Sequence, residues 1–285
     1  MIIDRLYRES VDKSPICVGL DTRLEYLPEY ILDSDITIED KIFEFNKKII
    51  DNTFDLVACY KVQIAFYESL GIEGLKAYSR TLKYIKEKGK ISIADVKRGD
   101  ISSTAQAYGK AHFEGDFEAD FITVNPYMGI DSVSPYFKYM ENGSKGIFML
   151  IRTSNKGSED FQGINIKDRE LFMKVSDKCK EWGENFIGKE GFSSLGGVVG
   201  LTYPEEFLKI RRNNPNTFFL IPGYGAQGGS GKDIKEILKD GICGVINSSR
   251  GIITAHKRKV EDEDFIRPIR DNTLKMKEDI EKWLK

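Results

Sequence analysis

Ile91-Ser92-Ile93-Ala94-Asp95-Val96-Lys97 is an apolar run that ends in two opposite charges. Side chains alternate along a strand, so Ile91, Ile93, Asp95 and Lys97 share one face. By rise alone, Asp95 and Lys97 stand roughly 6.6 Å apart. Charges on a buried face are costly unless they neutralise one another. The stretch therefore reads as a buried parallel strand whose tip carries a charged pair into a pocket.

Seven further apolar runs flank it, at 16–20, 56–61, 121–125, 146–151, 197–200, 218–222 and 244–247. Amphipathic helical patterns lie between them. The clearest is 39–53, where Ile42, Phe45, Ile49 and Ile50 form one stripe. Others fall at 70–88, 103–114, 131–142, 168–186, 204–212, 233–239 and 263–284, and the first residues can form one more. Eight alternations of strand and helix predict an α/β fold, a single eight-stranded parallel βα (TIM) barrel with extra terminal helices. No interdomain linker interrupts the pattern, so residues 1–285 are expected to form one domain. Two stretches read as long loops, 153–167 and 188–196; the first follows strand 5, where a mobile lid can sit.

The bulk composition narrows the function. Hydrophobic residues are 40% and charged residues 31%, with a net charge of −2. That balance argues against a nucleic-acid or membrane partner, and any anion site must be local. No window approaches 18 apolar residues, and the charges at Asp4 and Arg5 come too early for a signal peptide. Cys17, Cys59, Cys179 and Cys243 lack metal or redox spacing and suit a reducing, cytoplasmic setting. The only histidines, His112 and His256, lie among polar, helix-like residues and read as surface groups, which speaks against histidine catalysis or a zinc site.

Barrel active sites gather at the C-terminal ends of the strands. Strand 1 ends in Asp21, strand 2 in Lys61 and strand 3 in Asp95-Val96-Lys97, with Asp100 three residues on. Any one of these could be a solvated loop residue; three consecutive strands ending this way point to a site. Alternating charges would keep the lysines protonated and the aspartates ionised. After strand 7 comes Pro222-Gly223-Tyr224-Gly225-Ala226-Gln227-Gly228-Gly229, and after strand 8 Arg250. The glycine spacing matches a dinucleotide fingerprint, but it follows the seventh strand, and strand 8 supplies no acid for a ribose. Barrels bind phosphate at this place, where backbone N–H groups approach the anion and an arginine grips it. A merely flexible turn is the bland alternative.

Asp95-Val96-Lys97-Arg98-Gly99-Asp100-Ile101 followed by Thr104 resembles the Asp-x-Lys-x-x-Asp signature of the orotidine 5′-phosphate decarboxylases, in particular their longer bacterial subgroup. Asp21 and Lys61 are similar to that family's substrate-holding pair, Pro222 to Gly229 to its phosphate loop, Arg250 to its phosphate arginine, and Ser154 to a residue at the pyrimidine. Asn247-Ser248-Ser249-Arg250 departs from the Gly-Arg form of shorter members. The resemblance implies cofactor-free and metal-free conversion of orotidine 5′-phosphate to UMP, the last step of de novo pyrimidine synthesis. Lys97 would stabilise and protonate a C6 carbanion, with Asp95, Asp100 and Lys61 as the other catalytic residues. Asp21, Thr104, Ser154, Pro222, Gln227, Gly228 and Arg250 would bind substrate. It further implies a homodimer in which Asp100 and Thr104 reach the neighbouring subunit's site. Three rivals stay open: a Mg²⁺-dependent sugar-phosphate decarboxylase or aldolase of the same superfamily, a Schiff-base aldolase using Lys61 or Lys97, and a catalytically dead binding barrel.

Overall fold

The computed structural model describes residues 1–225, 231–238, 240–257 and 264–284. Eight parallel strands close into a barrel: β1 (Ile16–Gly19), β2 (Cys59–Gln63), β3 (Ile91–Arg98), β4 (Phe121–Val124), β5 (Gly146–Arg152), β6 (Ser193–Val199), β7 (Thr217–Pro222) and β8 (Gly244–Ser248). Each pairs with its sequence neighbours, and β1 closes the ring against β8, with Ile16 opposite Ile246. The near-continuous apolar strands are explained by this closure, since both faces are covered.

Two apolar layers hold the fold. Inside the ring, Cys59, Ile91, Ile93, Phe121, Phe148, Phe218 and Val245 pack on one another. The first helix, α1 (Ile2–Asp12), adds Ile2, Ile3 and Leu6 to this cluster. Outside the ring, the strands pack on the helices. Helix α2 (Ile38–Thr53) is capped by Thr37, whose hydroxyl accepts from Asp40 N at 3.1 Å, and buries Ile42, Phe45, Ile49 and Ile50. The remaining long helices are α3 (Gly71–Glu87), α4 (Ser102–Phe113), α5 (Leu171–Gly183), α6 (Pro204–Asn213), α7 (Gly231–Leu238) and α8 (Ile266–Leu284). Among the described residues no helix is long and apolar enough to cross a membrane.

Several local expectations are corrected. Residues 193–196 belong to β6, not to a loop. Gly196 has no room for a side chain, since a Cβ would meet the Phe218 carbonyl oxygen at 2.5 Å and the Phe148 ring at 2.7 Å. The helix expected over 131–142 is reduced to Phe137–Met140, preceded by three 3₁₀ turns. Pro135 lacks the N–H that a continuous helix would need. The stretch after β5 carries a 3₁₀ turn at Lys156–Asp160 and a small antiparallel hairpin pairing Asn165–Ile166 with Arg169–Glu170. Both histidines are buried rather than exposed. His112 accepts from Arg98 Nε at 3.2 Å; burial and the Arg98 charge push its pKa down to about 4.

Candidate active site

The C-terminal ends of the strands enclose a cleft of about 900 Å³. Asp21, Lys61, Asp95, Lys97, Ser154, Pro222 and Arg250 all line it. β3 and its neighbours β2 and β4 build the charged side. Lys61 Nζ lies 2.9 Å from Asp21 Oδ1 and 3.2 Å from Asp95 Oδ2, and Lys97 Nζ lies 2.7 Å from Asp95 Oδ1. Two ammonium groups and two carboxylates thus alternate in one chain and cancel in charge.

Burial differs sharply along this chain. The Lys61 side chain is 6% exposed and that of Asp95 10%, whereas that of Lys97 is 47% exposed. Desolvation by itself would push the Lys61 ammonium down, but Asp21 and Asp95 outweigh it and hold its pKa above the ordinary value. Burial raises the Asp95 carboxyl; Lys61, Lys97 and a hydrogen bond from Thr123 prevail and hold it at about 2. Lys61 is therefore locked between two partners, while Lys97, with one partner and open to the cleft, can meet an incoming group.

The tip of β3 is not a regular strand. Register against β4 shifts between Ala94 and Arg98, and Lys97 has φ +43°. Asp95 and Lys97 still meet, but through this bulge rather than by plain alternation. Left-handed backbone at a non-glycine residue costs on the order of 1–3 kcal/mol and persists only where surroundings enforce it.

Opposite the charged array, β7 ends at Pro222 and turns through Gly223, whose φ is +115°, a conformation closed to residues with a Cβ. Arg250 opens the short helix Arg250–Ile253 directly after β8 and faces the same cleft. Gln227 and Gly228 lie outside the described residues. Between the two poles, Leu150, Val198 and Leu220 give the cleft an apolar floor.

Asp100 and Thr104 are not part of the cleft within one chain. Asp100 is half-buried and accepts from Ile101 N at 2.8 Å, and Thr104 is exposed on the first turn of α4. Neither bonds to Lys61 or Lys97 of its own chain, where the two lysines pair with Asp21 and Asp95.

Sequence reasoning gave no site role to three residues that shape the site. Thr123 on β4 is buried against Asp95 and the β3 backbone. Asn247 on β8 lines the cleft with its Oδ1 buried and unpartnered. Arg152, fully buried at the end of β5, bonds Ser158 at 2.8 Å, Glu206 at 2.6 Å and Glu159, and its guanidinium lies 4.2 Å over Tyr203. It ties the segment after β5 to α6. An arginine following an apolar strand reads as exposed; only its acidic partners, far apart in sequence, disclose its burial.

Fold and cleft together define a βα-barrel enzyme. Residues 14–265 match the family model for orotidine 5′-phosphate decarboxylase / HUMPS proteins. The orotidine 5′-phosphate decarboxylase of Clostridium kluyveri is 55% identical over 282 residues, covering 98% of this chain and 97% of the relative. Among solved structures, Leishmania donovani OMP decarboxylase superposes with a TM-score of 0.78 at 30% identity, covering 99% of this chain and 98% of the other. Leishmania donovani UMP synthase superposes at 0.79 with 32% identity; this chain is covered to 98% but spans 55% of that longer protein. The chain belongs to the orotidine 5′-phosphate decarboxylase / HUMPS family. Relatives carrying the decarboxylase name are carboxy-lyases.

Proposed function

We propose that this protein converts orotidine 5′-phosphate to UMP without a cofactor, the final step of pyrimidine nucleotide assembly. The observation carrying this is the alternating chain Asp21–Lys61–Asp95–Lys97, with its half-exposed ammonium end facing the cleft. Decarboxylation breaks the C6–carboxylate bond, leaves its electron pair on C6 and releases CO₂. The carbanion has no electron sink in the ring, so fixed charge must stabilise it. Lys97 supplies that charge beside C6 and then gives its Nζ proton to the carbon; solvent returns a proton to Lys97. Asp95, ionised over the working pH range, receives Lys97 Nζ at 2.7 Å and faces the departing carboxylate. Lys61 and Asp21 hold the ribose, and Ser154 meets the pyrimidine. Pro222, the glycine turn with Gln227 and Gly228, and Arg250 take the phosphate. Binding energy from that remote group steadies the ring for the reaction.

Lys97 Nζ is engaged with Asp95 at 2.7 Å, which also disfavours a Schiff-base role, where that nitrogen must attack a carbonyl. A divalent cation on Asp21 and Asp95 would have to displace Lys61 from both. Half-buried Asp100 and exposed Thr104, beside the cleft rather than in it, fit completion of a second subunit's site in a homodimer. The chain functions as one barrel domain on this account.

The test is incubation of purified protein with orotidine 5′-phosphate in EDTA, following UMP formation. Conversion is expected, and Lys97→Ala should lose at least ~10³-fold in kcat, the scale seen when a preorganised electrostatic group is removed, while remaining folded because its side chain is half-exposed. No conversion by the wild type, or undiminished conversion by Lys97→Ala, would sink the proposal.

A further inference from the structure

Thr123 stands on β4, one strand from the pair that the proposed reaction uses, and is almost wholly buried. Its hydroxyl accepts from Val96 N at 3.0 Å and from Lys97 N at 2.9 Å, and donates to Asp95 Oδ1 at 2.9 Å. A hydroxyl has one proton and two lone pairs, so its whole capacity is committed to three consecutive residues of β3. In an unbroken parallel ladder, strand N–H groups at this point would bond to carbonyls of the neighbour. Here the ladder slips between Ala94 and Arg98, and a side chain takes the place of the missing acceptors. The slip is also where Lys97 adopts φ +43°.

The two oxygens of Asp95 are divided in consequence. Oδ1 receives Lys97 Nζ at 2.7 Å together with Thr123, while Oδ2 faces Lys61 at 3.2 Å. We infer that Thr123 is a positioning residue for the reaction: one hydroxyl clamps the β3 bulge that aims Lys97 into the cleft and fixes the rotation of the carboxylate that Lys97 leans on. This rests on Lys97 being the group that meets C6. Thr123 does not itself hold the ribose or the phosphate, so its removal acts on the chemical step and not on substrate capture.

Thr123→Val keeps the shape and deletes the hydroxyl; Thr123→Ser keeps the hydroxyl and deletes the methyl. With orotidine 5′-phosphate as substrate, Thr123→Val should lose roughly 10- to 100-fold in kcat, as expected for ~1 Å displacement of a reacting group, with KM and the Kd for UMP within about 3-fold of wild type. Thr123→Ser should return kcat to within about 3-fold of wild type. A crystal structure of Thr123→Val should show Lys97 at negative φ and its contact with Asp95 broken. If the valine protein does not fold, Thr123→Ala replaces it, and the serine–alanine difference in kcat carries the same contrast. Wild-type-like kcat in the hydroxyl-free variant, equal impairment of serine and valine, or a change confined to KM would overturn the inference. Each of these is distinct from failure of the wild type to turn over orotidine 5′-phosphate, which would instead remove the proposed function.

Discussion

Lys61→Met keeps the length and apolar stem of the side chain and removes its charge. Lys61 spans 2.9 Å to Asp21 and 3.2 Å to Asp95. At an effective dielectric of about 20, Coulomb attraction over such distances is about 5–6 kcal/mol per pair. The cost of desolvating an ammonium group offsets much of this, and removing one partner of a buried ion pair leaves a net loss of about 3–5 kcal/mol. The loss must also depend on pH. In the wild type Asp95 is held at about 2, below its unfolded value of about 3.9, so its contribution is complete above about pH 4 and is lost only as pH falls towards 2. In the variant, burial still raises the carboxyl and the Lys61 charge is gone, while Lys97 at 2.7 Å and the Thr123 hydroxyl remain. Its folded pKa therefore rises from about 2 towards the unfolded value, and the variant loses less of the Asp95 contribution as pH falls. The penalty then diminishes between about pH 4 and about pH 2, by at most about 1.4 kcal/mol per pH unit. Urea unfolding of both proteins at about pH 7 and about pH 3 measures this. A penalty of about 3–5 kcal/mol at the higher pH, shrinking at the lower, is expected. An identical penalty at the two pH values, or one under about 1 kcal/mol, refutes the electrostatic account.

Arg250→Ala should raise KM for orotidine 5′-phosphate by roughly 10- to 100-fold, the loss of a charge-assisted phosphate contact of about 1.5–3 kcal/mol; an unchanged KM removes Arg250 from the phosphate site. If the sites are shared, Lys97→Ala and Asp100→Ala homodimers, each nearly inactive, should regain activity when mixed and allowed to exchange subunits, because one of the two sites in a hybrid is intact. Activity that does not recover on mixing, with hybrids present by mass spectrometry, argues that each chain works alone.

The barrel and much of its mouth are legible in the linear sequence for one physical reason. Charges inside apolar runs must be paired, and the runs place Asp21, Lys61, Asp95 and Lys97 at strand ends or close to them. What escapes is set by contacts between distant segments. Lys61 sits in the middle of β2 rather than at its end, because β2 runs on to Gln63. The bulge at Lys97 depends on a hydroxyl 26 residues away. His112 reads as a surface residue because its helix carries polar neighbours, yet Arg98 and the helix's inner face enclose it. Residues 193–196 lack β-branched side chains, and only their pairing with β5 and β7, distant in sequence, makes them strand. Arg152 is concealed in the same way, since Glu159 and Glu206 become its neighbours only after folding.

The left-handed backbone at Lys97 sets two selective pressures against each other at one codon. Glycine at this position would relieve the torsional penalty and lose the ammonium group. A population of variants sorted for thermal robustness would therefore drift towards residues tolerant of positive φ, and the same population sorted for product formation would be held at lysine. On the proposed mechanism, the residue that the chemistry needs is one that the backbone, by itself, would exchange.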